Sequence, residues 1–385
     1  MERKYLVPLA VFLLSQTSWP VSFTLSKYKL MGSQLSVFVA GVICLTLATV
    51  GPYVLFSRHF KRIDPLLMVW SLFSWTCMID LGIGLELDGY ISNFIGFYFA
   101  EGEPYLMTAH GTAINYWDGT FQFGLCIAII AFYTYKKSHR ELALVWVGSI
   151  LNSMVVLLPG GVAGKHPFKL SILLNTPYLL CPVYAAFKLL HEHPPQARTF
   201  LKFKPLWKRP VDLLFAVYFV AASCVAIFSG LAVLGGNASA MKTYLNLYDP
   251  YLKDPSNFPK FQTLAYSYMF LAYYLYAIYG LVYPGTHRMT DWSLIHAGAA
   301  AQAQVTYIWG SCHHRTQKDL QSPVSGPEAL LFWSIHLTLL VVPQLFALWC
   351  QKDFEKFGRS YTVARCELIE ERLSTPVKAK QRKSD

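Results

Sequence analysis

What most constrains this chain is a series of long stretches free of Asp, Glu, Lys and Arg. A helix needs about 20 apolar residues, with a range of roughly 17–25, to cross the hydrocarbon core of a bilayer. Eight stretches carry no such charge: Tyr5–Ser26, Met31–Ser57, Leu142–Gly164, Leu170–Phe187, Leu213–Met241, Phe261–His287, Trp292–His314 and Ala329–Gln351. Pro65–Leu85 and Ala109–Tyr135 join them if each tolerates one acid, Asp80 and Asp118. The expected fold is therefore all-α, a polytopic membrane protein of about ten transmembrane helices. Only 14% of residues are charged and 54% are hydrophobic, against roughly 25% charged in soluble domains. Arg3 and Lys4 resemble the charged start of a signal peptide, but Pro8 and Pro20 break the apolar run and no small-residue cleavage site stands out. It is kept as a span.

With ten spans both termini share a side. That side receives Arg3 and Lys4, then Arg58, Lys61 and Arg62, then Lys136, Lys137 and Arg140, then the loop Arg198–Arg209 and the basic tail. The opposite loops hold Asp88, Glu101, Glu103, Asp249 and Asp254. The excess of Lys and Arg places both termini in the cytosol. Asn237-Ala238-Ser239 is then a glycosylation sequon on the luminal side. The end Arg382-Lys383-Ser384-Asp385 reads either as a dibasic retrieval signal or as a solvated tail that meets anionic lipid heads. The net charge of +11 belongs mostly to this cytosolic face, so no nucleic-acid partner is expected. The eight cysteines are scattered, mostly within spans and without a CxxC pair, as small apolar fillers would be.

The chain also repeats itself. Glu103-Pro104-Tyr105-Leu106 recurs as Asp249-Pro250-Tyr251-Leu252, and Gly84-Leu85 as Gly230-Leu231 at the same offset. Leu144–Gly148 with Asn152 parallels Leu294–Gly298 with Gln302. Four spans per copy put both copies in one orientation, a parallel repeat. The implied units are two N-terminal helices (residues 1–58), a first repeat (60–190), a second (209–351) and a basic cytosolic tail (352–385).

Ionisable groups at membrane depth are costly and mark function by default. Gly111, Asn115, Asp118 and Gln122 stand at intervals of four, three and four, on one helix face. Thr76 and Asp80 share a face in the preceding span, followed by Gly84. Asn152, Gln302 and Gln304 add amides in two other spans. One reading is a polar pocket for a lipid headgroup or sterol hydroxyl. The other is interhelical hydrogen bonding, worth only about 0.6 kcal/mol each on average. Ile91–Ala100 reads as a segment lying on the bilayer surface, and Glu101–Leu106 as a site or a rigid turn. His313-His314 beside Cys312 has no evident fourth ligand, so neither a metal nor any cofactor is expected.

The runs EGEPYL at Glu101–Leu106, TAHG at Thr108–Gly111, YWDGT at Tyr116–Thr120, DPYLKDP at Asp249–Pro255 and AQAQ at Ala301–Gln304 resemble the signature of the transmembrane 6 superfamily. The resemblance covers nearly the whole chain up to about Lys352. It implies ten spans with two EXPERA domains, the module also found in emopamil-binding-type sterol isomerases and the sigma-2 receptor. It further implies lipid handling: triglyceride export in lipoproteins, lipid-droplet content and sterol balance. The implied residence is the endoplasmic reticulum and its intermediate compartment, or lysosomes for one branch. The sterol isomerases use a His and a Glu one turn apart on the helix corresponding to the third span, where Asp80 and Gly84 stand here. Asp118 is a plausible second carboxylate, with Trp117 nearby for cation–π stabilisation. Near the place of Asp118 the second copy holds Tyr266 and Tyr268, which leaves it without acids.

The expected activity is binding of a lipid or sterol by Thr76, Asp80, Asn115, Trp117, Asp118, Gln122 and Asn152. The alternatives are a sterol Δ8–Δ7 isomerase acting through Asp80 and Asp118, and a lipid transporter or scramblase. Membrane lipids or sterols are the expected partners, with lipoprotein-assembly or lipid-synthesis proteins beside them.

Overall fold

The computed structural model describes residues 6–28, 33–164, 169–191, 204–284 and 288–357, and these contain helices but no strand. Arg3, Lys4, residues 192–203, and the tail from 358 with its dibasic end lie outside the described residues.

The first apolar stretch forms two helices, α1 (Val7–Ser15) and α2 (Ser18–Lys27). Pro20 has no N–H to offer and its ring crowds the carbonyl of Gln16, so a single helix through this point is disfavoured. Thr17 sits at the break and accepts a hydrogen bond from the Trp75 indole at 3.1 Å. Next, α3 (Gln34–His59) opens on a reciprocal cap between Ser33 and Ser36. Pro65 stands at the first position of α4 (Pro65–Leu87), where its missing donor costs nothing. The Asp64 carboxylate caps α4 at Leu66 N and pairs with Lys188 Nζ at 2.6 Å.

Beyond α4, the segment Ile91–Ala100 is fastened to the end of that helix. The Glu86 carboxylate accepts the N–H groups of Phe94 and Ile95 at 3.1 and 2.6 Å, and both side chains are buried. Then come α5 (Ala109–Trp117), a wide π-type turn at Asp118–Gln122, and α6 (Phe123–Thr134). They are followed by α7 (Arg140–Ala163), a tight turn Leu170–Asn175 and α8 (Thr176–His191). The second half holds α9 (Pro210–Val233), α10 (Ser239–Thr243) and α11 (Phe258–Ala265). A second wide turn, Tyr266–Phe270, leads into α12 (Leu271–Val282), then α13 (Met289–Cys312), α14 (Gly326–Lys352) and α15 (Phe354–Phe357). The span expected over Leu213–Met241 stops at Val233, just before Gly235, whose φ of 94° breaks the helix.

Among the described residues, six helical stretches are long and apolar enough to cross a bilayer: α3, α4, α7, Leu170–His191, α9 and α14. Their exposed faces carry Leu47, Leu214 and Leu331, residues that acyl chains cover at no cost. The chain is a multi-pass membrane protein.

At the centre α7 crosses α13 so closely that side chains are excluded. A Cβ on Gly148 would collide with the Ile295 carbonyl, and a Cβ on Gly298 with the Val145 carbonyl. The contact is reciprocal, each glycine meeting the residue three positions before the other. At one end of this crossing Arg140 grips Asp291 through two hydrogen bonds of 2.6 and 2.8 Å and also donates to the Leu189 carbonyl. Asp291 is 2% exposed. At the other end Arg315 donates to the Leu87 carbonyl, and His313 Nε2 lies 3.2 Å from Asp88. The two halves are thus tied at both ends of their shared seam.

Candidate functional site

A cavity of about 130 Å³ lies in the first half. Thr76 and Asp80 project into it from α4, one turn apart as their spacing requires. Asn115 arrives from the end of α5 and Asp118 from the start of the wide turn, while Glu103 comes from the preceding loop. Val21, Leu25, Ala40 and Leu45 of α2 and α3 form much of the apolar wall. No Lys, Arg or His lines the cavity among the described residues, so three carboxyls face it without a counter-ion.

The side chains are not satisfied by one another. Asn115 Nδ2 and Asp118 Oδ1 are buried without a hydrogen-bond partner among the described residues, and buried polar groups are overwhelmingly paired, so each such atom calls for an explanation. Glu103 is better held: Asn175 Nδ2 donates to its Oε1 at 2.6 Å. Burial pushes the Glu103 carboxyl from the ordinary 4.5 up to about 7.

Four of the seven expected contacts meet here: Thr76, Asp80, Asn115 and Asp118. Trp117 instead donates its indole N–H to Ser149 Oγ at 3.0 Å and stacks on Phe121. Gln122 lies off the lining because the wide turn between it and Asp118 adds a residue to the helical period, breaking the face the spacing implied. Asn152 points to the other half, donating to Gln262 and Gln302 at 3.1 and 2.5 Å. Asn175 and Tyr178 are lining residues the sequence reading did not single out, while Glu103 comes from the Glu101–Leu106 segment read as a site or a rigid turn. Asn237 is exposed in the loop after α9, as a glycan acceptor must be.

Comparison with known proteins puts this geometry in a family. Transmembrane 6 superfamily member 2 of mouse is 36% identical over 339 residues, covering 86% of this chain and 89% of its own. The human protein of that name is 35% identical over 355 residues, covering 89% and 93%. The chain belongs to the transmembrane 6 superfamily. A family model described as "Transmembrane 6 superfamily member 2-like, transmembrane domain" matches residues 17–200, a span that takes in every lining residue from Val21 to Tyr178. No solved structure matches the chain.

In this superfamily member the second half is not the acid-free copy that Tyr266 and Tyr268 led us to expect. Asp249 reaches from its loop into a smaller chamber of about 30 Å³, lined also by Tyr244, Gln262, Tyr266, Tyr307 and His336. The acid enters from outside the helix on which the first half carries Asp118, so helix-by-helix comparison overlooks it. Tyr307 Oη donates to Asp249 at 2.8 Å, and His336 Nδ1 lies 2.8 Å from Gln304 Oε1.

Asp88, His313 and His314 are the one trio in the described residues whose ligand atoms could reach a shared ion, all within 4.8 Å. The Arg315 backbone N–H points at His313 Nδ1 at 3.3 Å, which leaves the ring proton on Nε2, facing Asp88. That tautomer makes the pair a clasp between the ends of α4 and α13.

Proposed function

We propose that this member of the transmembrane 6 superfamily binds a sterol or other lipid in its first-half cavity and thereby regulates lipid metabolism. The processes concerned are triglyceride secretion, lipid-droplet content and sterol balance, in the endoplasmic-reticulum membrane or its intermediate compartment, with the lysosomal membrane as the alternative address. The observation that carries the reading is that Asp80 and Asp118 line a single apolar cavity. Each charged side chain at bilayer depth costs about 2.5–3.5 kcal/mol on insertion scales, a penalty that structure alone gives no reason to accept twice. A lipid hydroxyl there would supply partners to Asn115 Nδ2 and Asp118 Oδ1. An apolar cavity of about 150 Å³ holds benzene. The 130 Å³ therefore suits a polar head and the first ring or methylenes, with the remaining apolar body lying along α2 and α3.

The architecture proposed with it has ten spans, both termini cytosolic, and two parallel EXPERA repeats (60–190 and 209–351) after two N-terminal helices. The reciprocal Gly148 and Gly298 contacts support the repeat, since they are what a two-fold axis between equivalent helices produces. So does the pairing of Asp64 with Lys188 in one half and of Asp212 with the Trp349 indole in the other. Lipoprotein-assembly or lipid-synthesis proteins are the proposed protein partners.

The test is mass spectrometry of lipid that copurifies with the chain in mild detergent. One lipid class should be enriched over the bulk membrane, and Asp80→Leu should lower it about tenfold, the loss of roughly one charged hydrogen bond. No enrichment, or equal enrichment in the variant, would overturn the reading. Recovery of the sterol with a shifted ring double bond would favour the isomerase alternative, which gains from two carboxyls in one chamber but lacks Trp117 at its wall.

A further inference from the structure

The Asp249 chamber has a hydrogen-bonding pattern of its own. Gln304 Nε2 donates to the Tyr266 hydroxyl at 2.6 Å, so its Oε1 accepts from His336, and Nδ1 of that ring carries the proton. Nε2 is then an acceptor. It is buried and has no hydrogen-bond partner among the described residues, with Asp249 Oδ2 3.4 Å away. The carboxylate already accepts from Tyr307 and Tyr244, the latter at 3.3 Å. With His336 neutral, two acceptors face one another across the chamber wall, and a group offering two donors satisfies both; a second proton on the ring would instead close them into an ion pair.

Size and surroundings narrow the ligand further. A water-sized group needs roughly 10–15 Å³ of such space, so about 30 Å³ admits two of them. The apolar lining, Ala222 and Ala226 from α9 with Ile335 and Leu339 from α14, belongs to helices whose outer faces carry exposed Ile227, Leu231, Leu331 and Leu337. An acyl chain leaving between α9 and α14 would pass directly into the bilayer.

We propose that the second half holds a separate lipid site, in which Asp249 and His336 bind a head bearing two donors on adjacent carbons. A monoacylglycerol diol and a sphingoid amino alcohol share that chemistry. A fatty acid does not, because its carboxylate would face Asp249, and a simple fatty alcohol has one donor where two are wanted.

The experiment uses the full chain in nanodiscs and a monoolein with a diazirine in its acyl chain, with labelled peptides mapped after irradiation. Label is expected on α9 and α14, competed by unlabelled 1-monoolein and not by oleic acid or oleyl alcohol. His336→Gln and Ala226→Leu should each cut labelling about tenfold, while Asp80→Leu leaves it unchanged. Ala226→Leu fills the chamber from α9 and leaves the Asp249 and His336 side chains unchanged, and its melting profile reports whether the fold is kept. Sphingosine competing more strongly than monoolein would assign the site to amino alcohols and support the paired-donor chemistry. Equal competition by oleyl alcohol or oleic acid, or undiminished labelling in a folded Ala226→Leu protein, would overturn the proposal.

Discussion

Glu103 joins the Glu101–Leu106 segment to the cavity, and its titration has a direction that can be measured. Its carboxyl is raised from 4.5 to about 7 by burial, so the folded chain holds the proton more tightly than the unfolded one. The resulting stability is complete below the unfolded value and is lost as pH climbs through about 7. Thermal unfolding between about pH 5 and pH 8 should show the midpoint falling, and Glu103→Gln should flatten that fall. The same slope in the variant would exclude Glu103 as its source. At this scale Asp80 and Asp118 were legible because an acid inside an apolar run is a strong signal by itself. Asn175 and Tyr178 were not, since they come from a distant span whose approach no local spacing records. Asn152 was read toward the cavity because its position within α7 says nothing about which half it faces.

Helices with a uniform apolar face could be placed from the sequence to within a few residues; those with interruptions could not. Hydropathy misses the wide turns at Asp118–Gln122 and Tyr266–Phe270, because they change the period and not the composition. α13 carries buried Asp291, His296, Gln302 and Gln304, so it satisfies its neighbours more than a bilayer and falls below the apolarity of the other spans. The α7–α13 crossing gives this scale its prediction. Gly148→Ala should destabilise the chain by about 1–3 kcal/mol or more, as overpacking does, whereas Gly124→Ala, with nothing near its added carbon, should be neutral or slightly stabilising. Thermal unfolding of the two variants in detergent compares them directly, and equal midpoints would rule out the close crossing.

At the scale of the molecule the proposed orientation rests on charge asymmetry, and Asn237 offers a direct check. The wild-type chain should show a glycosidase-sensitive mobility shift that Asn237→Gln removes; identical mobility of the two would withdraw the sequon's support for a luminal loop. The proposed repeat is visible as recurring short runs, but the α7–α13 seam is not, because each glycine's close neighbours lie on the other helix. One asymmetry between the halves bears on time and not affinity. α2 and α3 wall the first cavity and not the Asp249 chamber, and α3 is held by few buried side chains, Val37, Pro52 and Phe56 among them. Segments so lightly anchored open long before the core does. A molecule lodged behind them would escape at a rate set by that helix swinging aside, so its residence time would report the helix's motion more than the strength of its own contacts.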